Sequence, residues 1–206
     1  MRPQFIYFDL GNVLFAFDRE RAFRQMAAVC GATEQAVEQA VMGSGLQEAL
    51  ETGRIDWGAA HAAFSRQTGT TSDPAALAAA ASDMFTLRVE MLPVLAAIER
   101  TGCPTGLLSN TCGVHWQHLL DAGYAILPGR FVRQIVSYEA GVMKPDAGIY
   151  AVATAAAAVP AHGIFFCDDL PQHVTAARAA GWDAELFTSA SDLIDQLAAR
   201  GLNLSL

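Results

Sequence analysis

The sequence predicts an α/β fold: a parallel sheet sandwiched by helices, with an all-helical segment inserted after the first strand. Three observations predict it. Short apolar runs recur along the chain, each ending on a polar residue. Helical stretches alternate with them through the C-terminal half. Residues 16–87 carry helix signals and no convincing strand. A short run with apolar side chains on both faces suits a strand covered on both sides. Its alternation with helices is the pattern of βαβ crossovers.

The elements follow in order. Phe5-Ile6-Tyr7-Phe8 is the first strand and ends at Asp9. Asp18 can cap a helix to about Cys30, Gly31 and Thr33 punctuate, and a second helix runs to about Met42. Asp56 can cap a third, carrying Trp57, His61 and Phe64. Asp73-Pro74 places an N-cap before a proline at the first helical position, a strong start for a run to Met84. Beyond it, helices are expected at 88–101, 113–122, 146–158, 172–180 and 190–200. Between them lie strands from Thr105 to Leu108, from Phe131 to Val136, from Gly163 to Cys167 and from Ala184 to Phe187. The expected division is therefore an α/β core of residues 1–15 and 88–206, and a helical unit of 16–87.

Composition narrows the function. With 52% hydrophobic and 17% charged residues, the 206-residue chain is not a disordered one. A net charge of −8 repels phosphate polymers, which argues against nucleic-acid binding. Cys30, Cys103, Cys112 and Cys167 form no CxxC pair, so they read as reduced core thiols rather than a zinc site. The apolar run at 5–8 and the alanine-rich stretch at 151–161 are too short to span a membrane, and a cytoplasmic, soluble protein is expected. Asn203-Leu204-Ser205 matches a glycosylation sequon, but nothing places the chain in a secretory pathway.

In open α/β sheets, ligands bind outside the carboxyl ends of the strands. Asp9, Ser109 and the pair Asp168-Asp169 all fall at that edge, and Lys144, the only lysine of the chain, is expected close by. One cation, three carboxylates and a hydroxyl converging there point to a phosphate and metal site.

Four segments carry a family resemblance. They are Phe8-Asp9-Leu10-Gly11-Asn12-Val13-Leu14, Leu108-Ser109-Asn110-Thr111, Gly141-Val142-Met143-Lys144-Pro145-Asp146, and Phe166-Cys167-Asp168-Asp169-Leu170-Pro171-Gln172-His173-Val174. Together and in this order they resemble the haloacid dehalogenase (HAD) superfamily of phosphohydrolases. The resemblance implies a Rossmann-like, HAD-like core and makes the helical insertion a cap that closes over the active site. The first motif is similar to that of bacterial sugar-phosphate phosphatases, including those acting on glucose 1-phosphate. The implied substrate is a small phosphorylated metabolite.

The chemistry is coherent with that. Asp9 would take the phosphoryl group as an aspartyl phosphate, splitting one hard step into two easier ones. An anion attacking a phosphate dianion needs a cation between them, and Mg²⁺ prefers hard oxygen ligands. Asp9 and Asp169 are the expected carboxylates. The resemblance adds the main-chain carbonyl of Gly11. Asp168 is assigned to orienting a water or Lys144, because two adjacent carboxylates resist joint ionisation without a cation. Lys144 would offset charge on the phosphoryl group and on Asp9. Ser109 and Asn110 would donate hydrogen bonds to phosphoryl oxygens. Each residue also has a plainer reading: a strand-end turn for Asp9, an acidic helix start for Asp168-Asp169, an N-cap for Ser109-Asn110, and a solvated side chain for Lys144.

The sequence departs from the phosphatase pattern twice. Gly11 stands where an acid/base Asp is usual, so proton transfer is left to a cap residue or a water, and glycine there can hold a backbone angle that Asp tolerates poorly. His173 stands where related fourth motifs often place Asn. It is expected to contact the Lys144 loop or the metal carboxylates, or to be a buried structural histidine. Trp57, His61 and Phe64 share one helix face, expected to pack on another helix of the insertion, while Arg66 falls off it. His115, Trp116 and His118 read as a partly exposed helix face. Two other functions fit the same residues: a metal-independent 2-haloacid dehalogenase, which also lacks the second Asp, and a phosphate-binding module without turnover.

Overall fold

A computed structural model describes residues 1–127 and 129–204; Ser205, which completes the sequon, lies outside them. Strand β1 (Phe5–Phe8) leads through a wound loop into β2 (Phe15–Phe17). Five helices follow: α1 (Arg19–Cys30), α2 (Glu34–Glu38), α3 (Leu46–Glu51), α4 (Trp57–Thr68) and α5 (Pro74–Ser82). Strand β3 (Phe85–Leu87) then returns antiparallel to β2, pairing Phe15 with Leu87 and Phe17 with Phe85. The chain continues through α6 (Met91–Arg100), β4 (Thr105–Ser109), α7 (Gly113–Asp121), β5 (Arg133–Val136), α8 (Ser137–Ala140) and α9 (Ala147–Ala157). It ends with β6 (Ile164–Asp168), α10 (Pro171–Ala179), β7 (Asp183–Leu186) and α11 (Ala190–Ala199).

The five-stranded sheet is parallel throughout, in the order β5-β4-β1-β6-β7. β1 is central, and the chain leaves it first toward β4 and β5, then crosses back to β6 and β7. Such a reversal opens a crevice at the carboxyl edge. Alternation along β1 divides the core into two layers. Ile6 and Phe8 pack with Val94, Leu95 and Ile98 of α6 and Leu193 and Leu197 of α11. Phe5 and Tyr7 pack with Ile149, Tyr150 and Ala153 of α9 and Val174 and Ala177 of α10. Each fully buried large side chain there contributes roughly 1.5–3 kcal/mol.

The inserted helices bury a third cluster, with Met26, Val37, Leu50, Phe64 and Leu77 at its centre. Local signals set their starts. The side chains of Asp18, Asp56 and Asp73 accept hydrogen bonds from the amides of Arg21, Ala59 and Ala76. On α4, Trp57 Nε1 donates to the Pro74 carbonyl, a His61 ring nitrogen lies 3.0 Å from the Ser72 carbonyl, and Phe64 is buried. All three therefore face neighbouring parts of the insertion. Among the described residues no disulfide forms, and no helix is long and apolar enough to cross a membrane.

The structure corrects the sequence reading in three places. Residues 16–87 do contain strand: β2 and β3 form the ribbon that frames the insertion. The helix expected to reach Met42 stops at Glu38 and passes into a π-helical turn, Gln39–Gly43. Helix α3 was not expected; Gly45 precedes it and offers no side-chain N-cap.

Gly53, just after α3, has φ of +65°, and a Cβ there would collide with the Tyr138 carbonyl oxygen of α8. Both the backbone angle and the close approach require glycine. Gly53→Ala is expected to destabilise the protein by about 2 kcal/mol or more, measured by urea denaturation.

Candidate active site

The carboxyl edge of the sheet brings together what the sequence placed there. The Asp9 amide donates to the Cys167 carbonyl, 3.1 Å away, so β1 and β6 hold their polar ends side by side. Carboxylate oxygens of Asp9, Asp168 and Asp169 all lie within 4.8 Å of one another. Lys144 is 1% exposed, so it is no solvated side chain. Its Nζ lies 2.8 Å from Asp9 Oδ1 and 2.6 Å from Asp168 Oδ2, and 5.4 Å from the centroid of the Phe166 ring.

The two neighbouring aspartates are used differently. Asp168 is fully buried and fully engaged. Its Oδ1 accepts from the Leu170 amide at 2.8 Å, its Oδ2 from Lys144, and His173 Nδ1 lies 3.0 Å from both oxygens. Asp169 is half-buried and faces an open cavity of about 520 Å³ that Asp9 and Lys144 also line. Its Oδ2 accepts from Asn12 Nδ2 at 2.9 Å. His173 is buried against Asp168, with its main-chain carbonyl accepting from the Tyr150 hydroxyl.

Charge and burial set the proton affinities. Burial pushes Asp9 up to about 6, against the opposing pull of Lys144. Burial also acts to raise Asp168, but Lys144 and His173 together hold it down at about 2. For Lys144, burial favours the neutral amine; the two carboxylates outweigh it and keep the ammonium charged. The donor set fits a hard divalent cation: carboxylate oxygens only, two of them facing the cavity, with Asp168 already saturated by protein donors.

Asn110 is placed at the site, but its side chain serves Lys144. Its Nδ2 donates to the Lys144 carbonyl and its Oδ1 accepts from the Lys144 amide, both at 2.8 Å. The amide thus clamps the loop at both ends, and the second hydrogen of its Nδ2 is the donor left over at the cavity that Asn110 lines. Ser109 is buried at the end of β4 and lines the cavity. Gly11 lines it too, and its φ is not in the left-handed region. Space, not backbone angle, resists a side chain there: a Cβ would sit 3.0 Å from Cε1 of Phe17 and 4.0 Å from Asp9 Oδ2.

Several residues of the site were not singled out from sequence. Asn12, with φ of +54°, turns its amide onto Asp169; the Gly-Asn pair after a strand was the available signal, since Asn tolerates that region. From the insertion, Arg19, Gln47 and Glu51 also line the cavity. His115 and Trp116 are buried rather than partly exposed, because α7 is covered on one side by the core and on the other by α5 and the ribbon. The His115 ring meets the Phe85 ring edge-on at 5.6 Å.

Comparison with known proteins agrees with this architecture. No protein-family model and no curated protein matches the chain. Solved structures do. A HAD-family enzyme of Bacteroides thetaiotaomicron, in complex with magnesium and inorganic phosphate, superposes with a TM-score of 0.80. It is 22% identical over 90% of this chain and 94% of that one. The fold is that of the HAD-family enzymes. A predicted HAD-like family hydrolase of Porphyromonas gingivalis gives a TM-score of 0.79 at 24% identity, covering 97% of this chain and 98% of that one. An L-2-haloacid dehalogenase of Xanthobacter autotrophicus, with chloropropionic acid covalently bound, gives 0.65 at 18% identity, covering 96% and 83%.

The burial of His115 has a measurable effect. Burial lowers its pKa to about 4, against about 6.5 in an unfolded chain. Below pH 6.5 the unfolded chain takes up a proton that the folded one refuses. Stability from this residue is therefore full above pH 6.5 and is lost as the pH falls toward 4, by about 3 kcal/mol in all. In denaturant titrations at pH 7 and pH 4.5, His115→Gln should show a smaller acid loss than the wild type.

Proposed function

We propose that the protein is a Mg²⁺-dependent phosphohydrolase of small phosphorylated metabolites, with Asp9 as the nucleophile and an aspartyl-phosphate intermediate. One observation carries the reading: a buried lysine bridges Asp9 and Asp168 while Asp169 faces the cavity beside them. That arrangement couples a nucleophilic carboxylate, a fixed positive charge and a hard-oxygen cation site. The magnesium and phosphate complex of the Bacteroides enzyme with the same fold supports it.

Asp9, Asp169 and the Gly11 carbonyl would hold the metal, which supplies positive charge against the phosphoryl oxygens. The chain's own residues do the rest. Lys144 fixes one oxygen of Asp9 and stabilises the charge that develops on the phosphoryl group. Asp168 holds Lys144, His173 holds Asp168, and Asn110 holds the lysine's backbone. Ser109 and the second N–H of the Asn110 amide would donate to the phosphoryl oxygens. The inserted helices act as a cap, and Arg19, Gln47 and Glu51 bring its contacts to the substrate. The sugar-phosphate phosphatases suggested by the first motif are the substrate class to try first, and the free thiols suit a cytoplasmic setting.

The dehalogenase alternative has a neighbour of the same fold. It is disfavoured because a metal-free halide site gains nothing from Asp169 held open to the cavity by Asn12. A screen of sugar phosphates, nucleotides and a 2-haloacid, with and without EDTA, decides between them. Phosphate release that EDTA abolishes is expected; consumption of the haloacid alone would sink the proposal.

Asp9→Asn should reduce phosphate release to below about 1% of wild type, with the fold intact by circular dichroism, because the amide cannot form the phosphoryl intermediate. Asp169→Ala should raise the Mg²⁺ midpoint for activity more than Asp168→Ala does. Asp168→Ala should instead lower stability by about 3–5 kcal/mol, since it leaves a buried ammonium with one partner fewer. Magnesium titrations and urea melts of the two variants separate these outcomes.

A further inference from the structure

We propose that Glu51, carried on the cap, donates the proton to the leaving-group oxygen and so supplies the acid that Gly11 lacks. The inference rests on the phosphohydrolase reading above.

The first ground is placement. Glu51 ends α3 and lines the same cavity as Asp9, Lys144 and Asp169. In phosphoryl transfer the attacking and leaving oxygens lie roughly in line across phosphorus. With Asp9 attacking from the sheet edge, the leaving oxygen points away from the sheet, toward the cap.

The second ground is elimination among the ionisable side chains that line the cavity. Asp9 and Asp169 are committed to nucleophile and metal, and Lys144 is locked between two carboxylates. His173 turns its Nδ1 onto Asp168, at the nucleophile's side. Arg19 is too basic to release a proton. His115 faces the cavity, but burial keeps it neutral at the pH where the other groups work. Glu51 remains. Gln47 Nε2 donates to its Oε1 at 2.5 Å and orients the carboxyl.

The environment suits an acid. Burial raises the pKa of Glu51, and Gln47, Arg19 and Lys144 act against it, with Glu48 adding a smaller push upward. The Cys112 thiol lies near enough to feel the Glu51 charge, and the neutral His115 ring lines the same cavity. In the step proposed, an Asp9 oxygen bonds to phosphorus as the ester P–O bond breaks. The bonding pair stays on the leaving oxygen, which takes the Glu51 proton and departs as an alcohol. Water then attacks phosphorus, its proton passes to the Glu51 carboxylate, and the Asp9–phosphorus bond breaks to release phosphate.

The test uses the full chain and compares p-nitrophenyl phosphate, whose leaving group needs no proton, with the alkyl phosphate the wild type cleaves fastest. Rates are read in the first turnover. Glu51→Gln should lose about 10²-fold on the alkyl phosphate, and at least about 30-fold more there than on the aryl phosphate. It should also lose the basic limb of the alkyl pH–rate profile. Glu51→Asp, which keeps a carboxyl, should retain that limb. Equal losses on both substrates, or no loss on the alkyl phosphate, would overturn the proposal. A wild-type protein that releases phosphate from neither ester would overturn the phosphohydrolase reading itself, and this proposal with it.

Discussion

The site depends on one ammonium group. Lys144 is the only lysine of the chain, and it is buried between Asp9 and Asp168. Taking such a charge out of water costs several kcal/mol, and only close, well-aligned partners offset it. The fold supplies them by sheet order. Because β1 lies directly beside β6, the residues at their carboxyl ends sit within reach of one cation. Asn110, from the other neighbour β4, pins the backbone of the lysine with two hydrogen bonds. Three adjacent strands thus contribute one anchor each: a slip at β1 or β6 would take a carboxylate from the buried ammonium, and one at β4 would release its backbone.

The same constraint sorts Asp168 from Asp169. Successive residues at a strand end point to different sides. Asp168 turns inward to Lys144 and His173, and Asp169 turns outward to the cavity. An inward carboxylate surrounded by donors is structural support for the lysine. An outward one, steadied only by Asn12 at one oxygen, keeps lone pairs for something that enters. The left-handed backbone of Asn12 aims that amide, which ties the loop after β1 to the loop after β6.

Much of this was legible in the sequence, for identifiable reasons. The parallel sheet was legible because its strands are covered on both faces and so read as continuous apolar runs. The starts of α1, α4 and α5 were legible because an aspartate caps each. The convergence of Asp9, Ser109, Asp168 and Asp169 followed from the rule that strand carboxyl ends meet at one edge; Lys144 sits in the turn after α8, outside the reach of that rule. What was hidden is non-local or short. The β2–β3 ribbon has three residues a strand and pairs across some 70 positions of chain. The Asn110 clamp joins residues 34 apart through a backbone amide that no motif spells out. The burial of His115 depends on α7 being covered from both sides, which helix periodicity does not encode. Glu51 looks like any surface glutamate until α3 is folded over the cavity.

Gly11 and Phe17 connect the chemistry to the cap. The ring of Phe17 crowds the place where a side chain at position 11 would begin, 3.0 Å from its Cβ, and the guanidinium of Arg19 lies 5.1 Å above that ring. Phe17 belongs to β2 and packs on Phe85 of β3, so the ribbon that leads into the inserted helices also closes the space over the first motif. Absence of an acid at position 11 and presence of an aromatic at 17 are therefore one structural choice. An aspartate at 11 would have to push the ring aside by a few tenths of an ångström, and the ring is the platform under Arg19. On the proposed phosphohydrolase reading, the acid is sought on the side of the cavity that the inserted helices supply, where Arg19, Gln47 and Glu51 line it. The ribbon thus makes the position of the helices part of the cavity's own geometry, and not only a cover for it.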